Sequence, residues 1–108
     1  MKKNFAACLI AGIAALSLTS QTFAAATPDQ CRLAAETATG VYDLAIRNGS
    51  TPADAAASAQ STFKRRIQED SGNKISSMTD ALDECKAAGI SHRAMCVRVE
   101  KFYTDPPC

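Results

Sequence analysis

Side chains that commonly carry catalysis or bind metals are scarce in this sequence of 108 residues. It has no tryptophan and one histidine, His92, and it contains no glycine-rich phosphate loop. A catalytic triad needs three groups, and only one recognisable candidate is present. We therefore predict no catalytic residue and no cofactor, and we interpret His92 as an exposed residue of a first helical turn.

A hydrophobic run long enough to span a membrane is also absent. Residues 1–24 have a basic start, an uncharged apolar run of about 14 residues and an end of small residues, whereas a span needs about 20 apolar residues. This pattern predicts a cleaved secretory signal peptide of bacterial type. We expect the mature domain to be residues 25–108, beginning at Ala25, with Thr27 as the alternative first residue and no stable membrane span.

The sequence has no excess of either charge. Two of the 12 basic residues and none of the 11 acidic residues precede Ala25, so the mature chain has 10 basic and 11 acidic residues and a net charge of −1. Binding to nucleic acid depends on lysine and arginine neutralising phosphates. We therefore predict no nucleic-acid partner.

Four cysteines remain after residue 24, at positions 31, 85, 96 and 108. Close pairs such as C-x-x-C, typical of structural zinc sites, are missing, so we predict no metal site. An even number of cysteines in a short exported chain indicates disulfides and therefore the periplasm or a secreted location. Symmetric spacing about the turn near residue 90 favours Cys85 with Cys96, and Cys31 with Cys108. The alternative, Cys31 with Cys85 and Cys96 with Cys108, stays open.

Four helix-start signals divide the mature chain, and no strand pattern competes with them. Each is a serine or threonine whose hydroxyl can cap a helix N-terminus: Thr27, Thr51, Ser77 and Ser91. After the first three of these, a glutamine or an aspartate follows three residues later. Because the turns between the helices are short, they favour antiparallel neighbours. The fold class is therefore predicted as all-α, a small antiparallel four-helix domain held by two disulfides.

Helical spacing also predicts which side chains are buried. The expected stripes are Leu33, Thr37, Val41, Leu44 and Asn48 in the first helix, Ala56, Ala59, Phe63 and Ile67 in the second, Met78, Ala81, Leu82 and Cys85 in the third, and Met95, Val99 and Phe102 in the fourth. Gly40 is expected to let another helix approach closely. With so few large apolar residues, complete reduction of the disulfides is expected to unfold most of the domain.

Charged clusters have ordinary structural interpretations. Asp80, Asp83 and Glu84 lie on the third helix without the spacing of a calcium loop, and first-turn acids favour a helix N-terminus. In the basic run at 64–66, Arg65 and Arg66 precede Glu69 and Asp70 by four positions, as in helix-surface ion pairs. We therefore assign no binding site to either cluster.

Because the usual signatures of an enzyme are missing, we predict an exported non-enzymatic protein that acts through protein–protein contacts in the bacterial envelope, with an unidentified protein partner. Tyr42, Ile46, Val97 and Tyr103 lie off the main stripes and would either widen the core or meet that partner. The alternatives are a periplasmic stress chaperone and a bundle that binds a small ligand or metal through Asp, Glu and Tyr side chains.

Overall fold

The computed structural model describes residues 26–108, which form four α-helices and no strand: α1 (Pro28–Arg47), α2 (Pro52–Ser71), α3 (Met78–Ala87) and α4 (His92–Val99). The predicted all-α fold class is confirmed. The predicted signal peptide, residues 1–24, lies outside the described residues.

Every helix begins at the hydroxyl residue that the sequence predicts. At α1, the backbone N–H of Gln30 donates to Thr27 Oγ1 at 3.1 Å, and the Thr27 N–H donates to Gln30 Oε1 at 2.8 Å, which completes a capping box. Single hydroxyl caps of the same kind begin the other three helices, at Thr51, Ser77 and Ser91. Each cap contributes about 1 kcal/mol, so the helix starts are encoded locally.

The helix α2 ends at a left-handed residue. Gly72 has φ +76° and its N–H donates to the Gln68 carbonyl. A residue with a Cβ is strained in this conformation, whereas glycine is not. The chain can therefore turn sharply from α2 towards α3.

Each helix packs against the next one in the chain, and the last helix also packs against the first. The most extensive contact is between α1 and α2, and α4 contacts both α1 and α3. Two side-chain bonds hold the segment after α4: Lys101 Nζ to Asp43 Oδ1 at 3.0 Å, and Gln60 Nε2 to the Phe102 carbonyl at 2.7 Å. These neighbours are compatible with the predicted antiparallel arrangement.

The core stripes predicted for α2 and α3 are confirmed in all but one position, since Ala56 is only half-buried. Phe63, Ile67 and Leu82 are fully buried, and the Phe63 ring lies 6.2 Å from that of Phe102. Met95, Val99 and Phe102 are also buried. However, α4 itself ends at Val99, and Phe102 is held by a backbone bond to the Val99 carbonyl in the following turn.

The stripe predicted for α1 is wrong. The buried residues of α1 are Cys31, Ala34, Ala35 and Ala38, whereas Leu33 and Leu44 are about half exposed. α2 presents buried Ala55 and Ala59, and its contact with α1 is the most extensive between helices. Small side chains let the two long helices approach closely, so the larger apolar residues of α1 lie on its outer side.

The disulfide pairing favoured by the sequence is also wrong. The bonds are Cys31–Cys85 and Cys96–Cys108, which is the alternative pairing. The favoured pairing assumed that Cys85 and Cys96 face each other across the α3–α4 turn and that Cys31 and Cys108 lie at the same end of a four-helix meander. However, α3 and α4 have 10 and 8 residues, whereas α1 and α2 have 20 each. The end of α3 therefore lies beside the start of α1, and Cys85 bonds there rather than across the α3–α4 turn.

Candidate interaction surface

The outer face of α1 carries an apolar stripe that the other described elements leave partly exposed. Its members are Leu33, Thr37, Gly40, Val41 and Leu44, hereafter the α1 stripe. Leu33 is 50% exposed and Leu44 is 52% exposed, while Thr37 and Val41 are half-buried. A Cβ added at Gly40 would meet no atom within 4 Å. Gly40 is therefore not a point of helix contact within residues 26–108, contrary to the sequence-based expectation.

The buried disulfide fixes which face of α1 points outward. Cys31 is bonded to Cys85 and is fully buried, so its side of the helix faces the core. Residues at i+3, i+4 and i+7 share a helix face, which brings Ala34, Ala35 and Ala38 to the same side. Leu33 lies about 200° around the helix from Cys31 and faces solvent. A competing stripe of a cysteine and three alanines was the signal in the sequence that could have revealed this orientation.

Charged residues flank the α1 stripe with opposite signs at its two ends. Asp29, in the first turn, has a side chain that is 91% exposed and binds Arg32 at 2.6 Å. Glu36 is exposed beside the first half of the stripe. At the other end Arg47 is exposed in the last turn and makes no ion pair within residues 26–108. The stripe is therefore acidic at its start and basic at its end.

His92 pairs with Asp83 across the α3–α4 turn. The distance from His92 Nε2 to Asp83 Oδ1 is 3.0 Å, and the His92 side chain is 28% exposed, so it is more covered than the sequence suggested. The bond ties the first turn of α4 to α3. The sequence predicts no nucleophile beside His92. The His92–Asp83 bond is explained by its structural role, because it holds the two short helices together.

The other carboxylates of the acidic cluster have separate partners. Asp80 Oδ2 accepts the Ser76 N–H at 3.0 Å, and Glu84 Oε2 accepts the Asn73 amide at 2.9 Å. Glu84 Oε1 is buried without a hydrogen-bond partner. Asp80 and Glu84 therefore both hold the 72–77 loop against α3 rather than converging on one point. Among residues 26–108 no group of three or more potential metal ligands is found.

The basic run at 64–66 lies on the surface of α2. Arg65 Nε lies 3.9 Å from Glu69 Oε2, with both side chains about 60% exposed. The second expected pair, Arg66 with Asp70, does not form an ion pair in the structure. Exposed pairs of this kind contribute at most about 1 kcal/mol.

A shallow groove of about 470 Å³ lies beside the Cys96–Cys108 disulfide. Arg93, Val97 and Glu100 of α4 and the following turn form one wall, and the chain leading to Cys108 forms the other. Val97 is 62% exposed here. The groove is open to solvent and is lined by charged and apolar side chains together.

The four residues that lie off the main stripes divide between core and surface. Tyr103 is buried and its hydroxyl donates to the Pro106 carbonyl, and Tyr42 packs against the core while partly exposed. Ile46 and Val97 are exposed. Tyr42 and Tyr103 thus widen the core, while Ile46 and Val97 remain available for contacts.

No helix within residues 26–108 is long and apolar enough to cross a membrane. The two disulfides fit an extracellular or otherwise oxidising compartment. Comparison with protein families, with curated proteins and with solved structures gave no match for this chain.

Proposed function

We propose that this is an exported, non-enzymatic protein that acts through protein–protein contacts in the bacterial envelope, and that the α1 stripe is its contact surface. The observation that carries the proposal is the orientation of α1. Two half-exposed leucines lie on one helix face, and their helical spacing aligns them with the half-buried Val41. Large apolar side chains grouped on one face mark interaction sites, whereas scattered ones do not.

The polar groups of the domain support this interpretation. Asp83 is engaged by His92, and Asp80 and Glu84 bind the preceding loop. These side chains stabilise the connections between helices, and they do not point towards a shared site. The predicted signal peptide and the two disulfides support export to an oxidising compartment.

The test is affinity capture from an envelope extract, using oxidised protein purified after export. Wild type is compared with a stripe variant, Leu33→Ser with Leu44→Ser, and with the control Val97→Ser. The control removes an apolar residue of a different helix that is at least as exposed as the two leucines. All three proteins must first show the same far-UV helical signal.

We expect wild type and Val97→Ser to retain the same stoichiometric protein, and the stripe variant to lose it. Equal capture by all three proteins would contradict the assignment of the stripe. Retention of many unfolded proteins would instead favour the chaperone. Failure to retain any protein, together with a melting temperature raised by a small molecule or metal ion, would favour the ligand-binding alternative.

A further inference from the structure

We infer that the α1 stripe pairs with the same stripe of a second copy of this chain, with the two α1 helices antiparallel. This inference rests on the proposed function, because it names the first partner of that surface. Three observations carry it: the symmetry of the stripe, the open space at Gly40, and the charges at its two ends.

The spacing of large and small residues along the stripe is symmetric. Leu33 and Leu44 are its two ends, about 16 Å apart along the helix, with Thr37 and Gly40 between them. Each small residue lies four positions from the nearer leucine. A twofold axis midway along the stripe therefore exchanges Leu33 with Leu44, and Thr37 with Gly40. Self-complementary patches of this kind are what a twofold dimer requires.

Gly40 has no role within the described chain that explains its place in a helix. Glycine inside a helix is less favourable than alanine, and here no neighbouring backbone or side chain would obstruct a Cβ. In the antiparallel pair, Gly40 lies opposite Thr37 of the second copy. The small residues then let the two helix backbones approach, while each Leu33 packs beside a Leu44 at the rim.

The charges favour the antiparallel orientation over the parallel one. Asp29 and Arg47 lie on the same flank of α1, eighteen residues apart. In the antiparallel pair, Asp29 of one copy lies opposite position 48 of the other. Arg47 is the next residue, so the two opposite charges come close together. In a parallel pair the same flank of the two copies lies on opposite sides of the contact, so neither Asp29 nor Arg47 would gain a partner of opposite charge. The antiparallel pair also brings the positive end of one helix dipole to the negative end of the other.

The contact is small, because it involves one face of one helix. Interfaces below about 1,200 Å² of total buried area are typical of weak, transient complexes. We therefore expect dissociation on the order of 100 µM, in the range where a dimer forms at high local concentration.

The experiment is sedimentation equilibrium on oxidised protein purified after export, over a range of concentrations that brackets this value. Wild type should show a reversible monomer–dimer equilibrium. The decisive variant is Gly40→Leu, which fills space that is open in the monomer but occupied in the dimer. We expect it to weaken dimerisation at least tenfold while its melting temperature, measured in dilute solution, stays equal or rises. The matched control is Ala57→Leu, at an exposed position of α2, which should leave the dimer unchanged.

The orientation is tested by charge reversal. Asp29→Lys and Arg47→Glu should each weaken the antiparallel dimer several-fold, and the double variant in one chain should restore it. A wild-type protein that stays monomeric throughout, or a dimer unaffected by Gly40→Leu, would overturn the inference. Failure of the double variant to restore the dimer would overturn the antiparallel pairing.

The two proposals fail in different ways. A monomeric protein whose stripe variant still loses an envelope partner contradicts the dimer and leaves the proposed function standing. A dimer disrupted by Gly40→Leu, with capture of envelope proteins unaffected by the stripe variant, contradicts the proposed partner-binding role and supports the dimer.

Discussion

The two disulfides should be reduced one after the other rather than together. Cys31 and Cys85 are both fully buried, whereas Cys108 is exposed and Cys96 is half-buried beside the open groove. Thiol–disulfide exchange requires an attacking thiolate to reach a sulfur atom. A dithiol reductant should therefore attack the Cys108 sulfur and release Cys96 as a thiolate. The second thiol of the reductant then displaces Cys108 and becomes part of an oxidised ring.

The free-energy changes of the two steps differ in size and in effect. In the loop-entropy description, the bond with a sequence separation of 12 contributes about 3 kcal/mol and the one with a separation of 54 about 4 kcal/mol. For a domain of this size, loss of the first corresponds to a melting temperature lower by about 15 °C. The four helices should survive that first step, because Phe63, Leu82 and the buried disulfide remain in place. Loss of the second bond should unfold most of the domain.

The assay is a time course in limiting reductant without denaturant, quenched with an alkylating agent and analysed by mass spectrometry and far-UV circular dichroism. The first species should carry two alkyl groups, on Cys96 and Cys108, and an unchanged helical signal. The variant Cys96→Ser with Cys108→Ser should reproduce its melting temperature. Alkylation of Cys31 at the same rate as Cys108, or loss of helix with the first reduction, would refute the reasoning.

Three further predictions concern the chain start, the core and a helix cap. The mature protein should begin at Ala25, because cleavage after Ala26 would remove a buried core residue and turn the capping N–H of Thr27 into an ammonium group. Intact mass spectrometry of the exported protein measures this, and a chain beginning at Thr27 would contradict it. Phe63→Ala should lower the free energy of unfolding by about 3–5 kcal/mol in urea melts, since the ring is fully buried, and a change below about 1 kcal/mol would show that the core is misassigned. Thr51→Ala should cost only about 1 kcal/mol, measured in the same way, because it removes one cap, whereas Thr51→Asn should cost nothing measurable.

Features of the structure that depend on residues close together in the sequence could be predicted, whereas features that depend on packing between helices could not. The helix starts rest on a hydroxyl and a backbone N–H three residues away, so Thr27 and Thr51 could be located from the sequence alone. The stripes of α2 and α3 were also predictable, because each has one group of large apolar residues. In contrast, α1 has two apolar faces, and the alanines rather than Leu33 and Leu44 face the core.

The disulfide pairing depended on information that is not local. Spacing about the α3–α4 turn favoured Cys85 with Cys96, but these residues lie on different sides of their helices. Cys85 shares the buried face of Leu82, whereas Cys96 follows the buried Met95 by one position and is partly exposed. The pairing follows from the packing of α3, which brings its end beside Cys31. Together with the buried alanines, this covalent bond fixes the rotation of α1 and places the α1 stripe on the surface.

The alanine contact between α1 and α2 has a consequence for how this sequence can diverge. Ala34, Ala35 and Ala38 are at most 1% exposed, so any larger side chain there would force the helices apart. Glycine is the only smaller replacement, and it costs up to about 1 kcal/mol in a helix interior. Substitutions by larger residues should therefore be rare along the alanines. Distant relatives of this protein should accordingly keep these small residues together with Cys31.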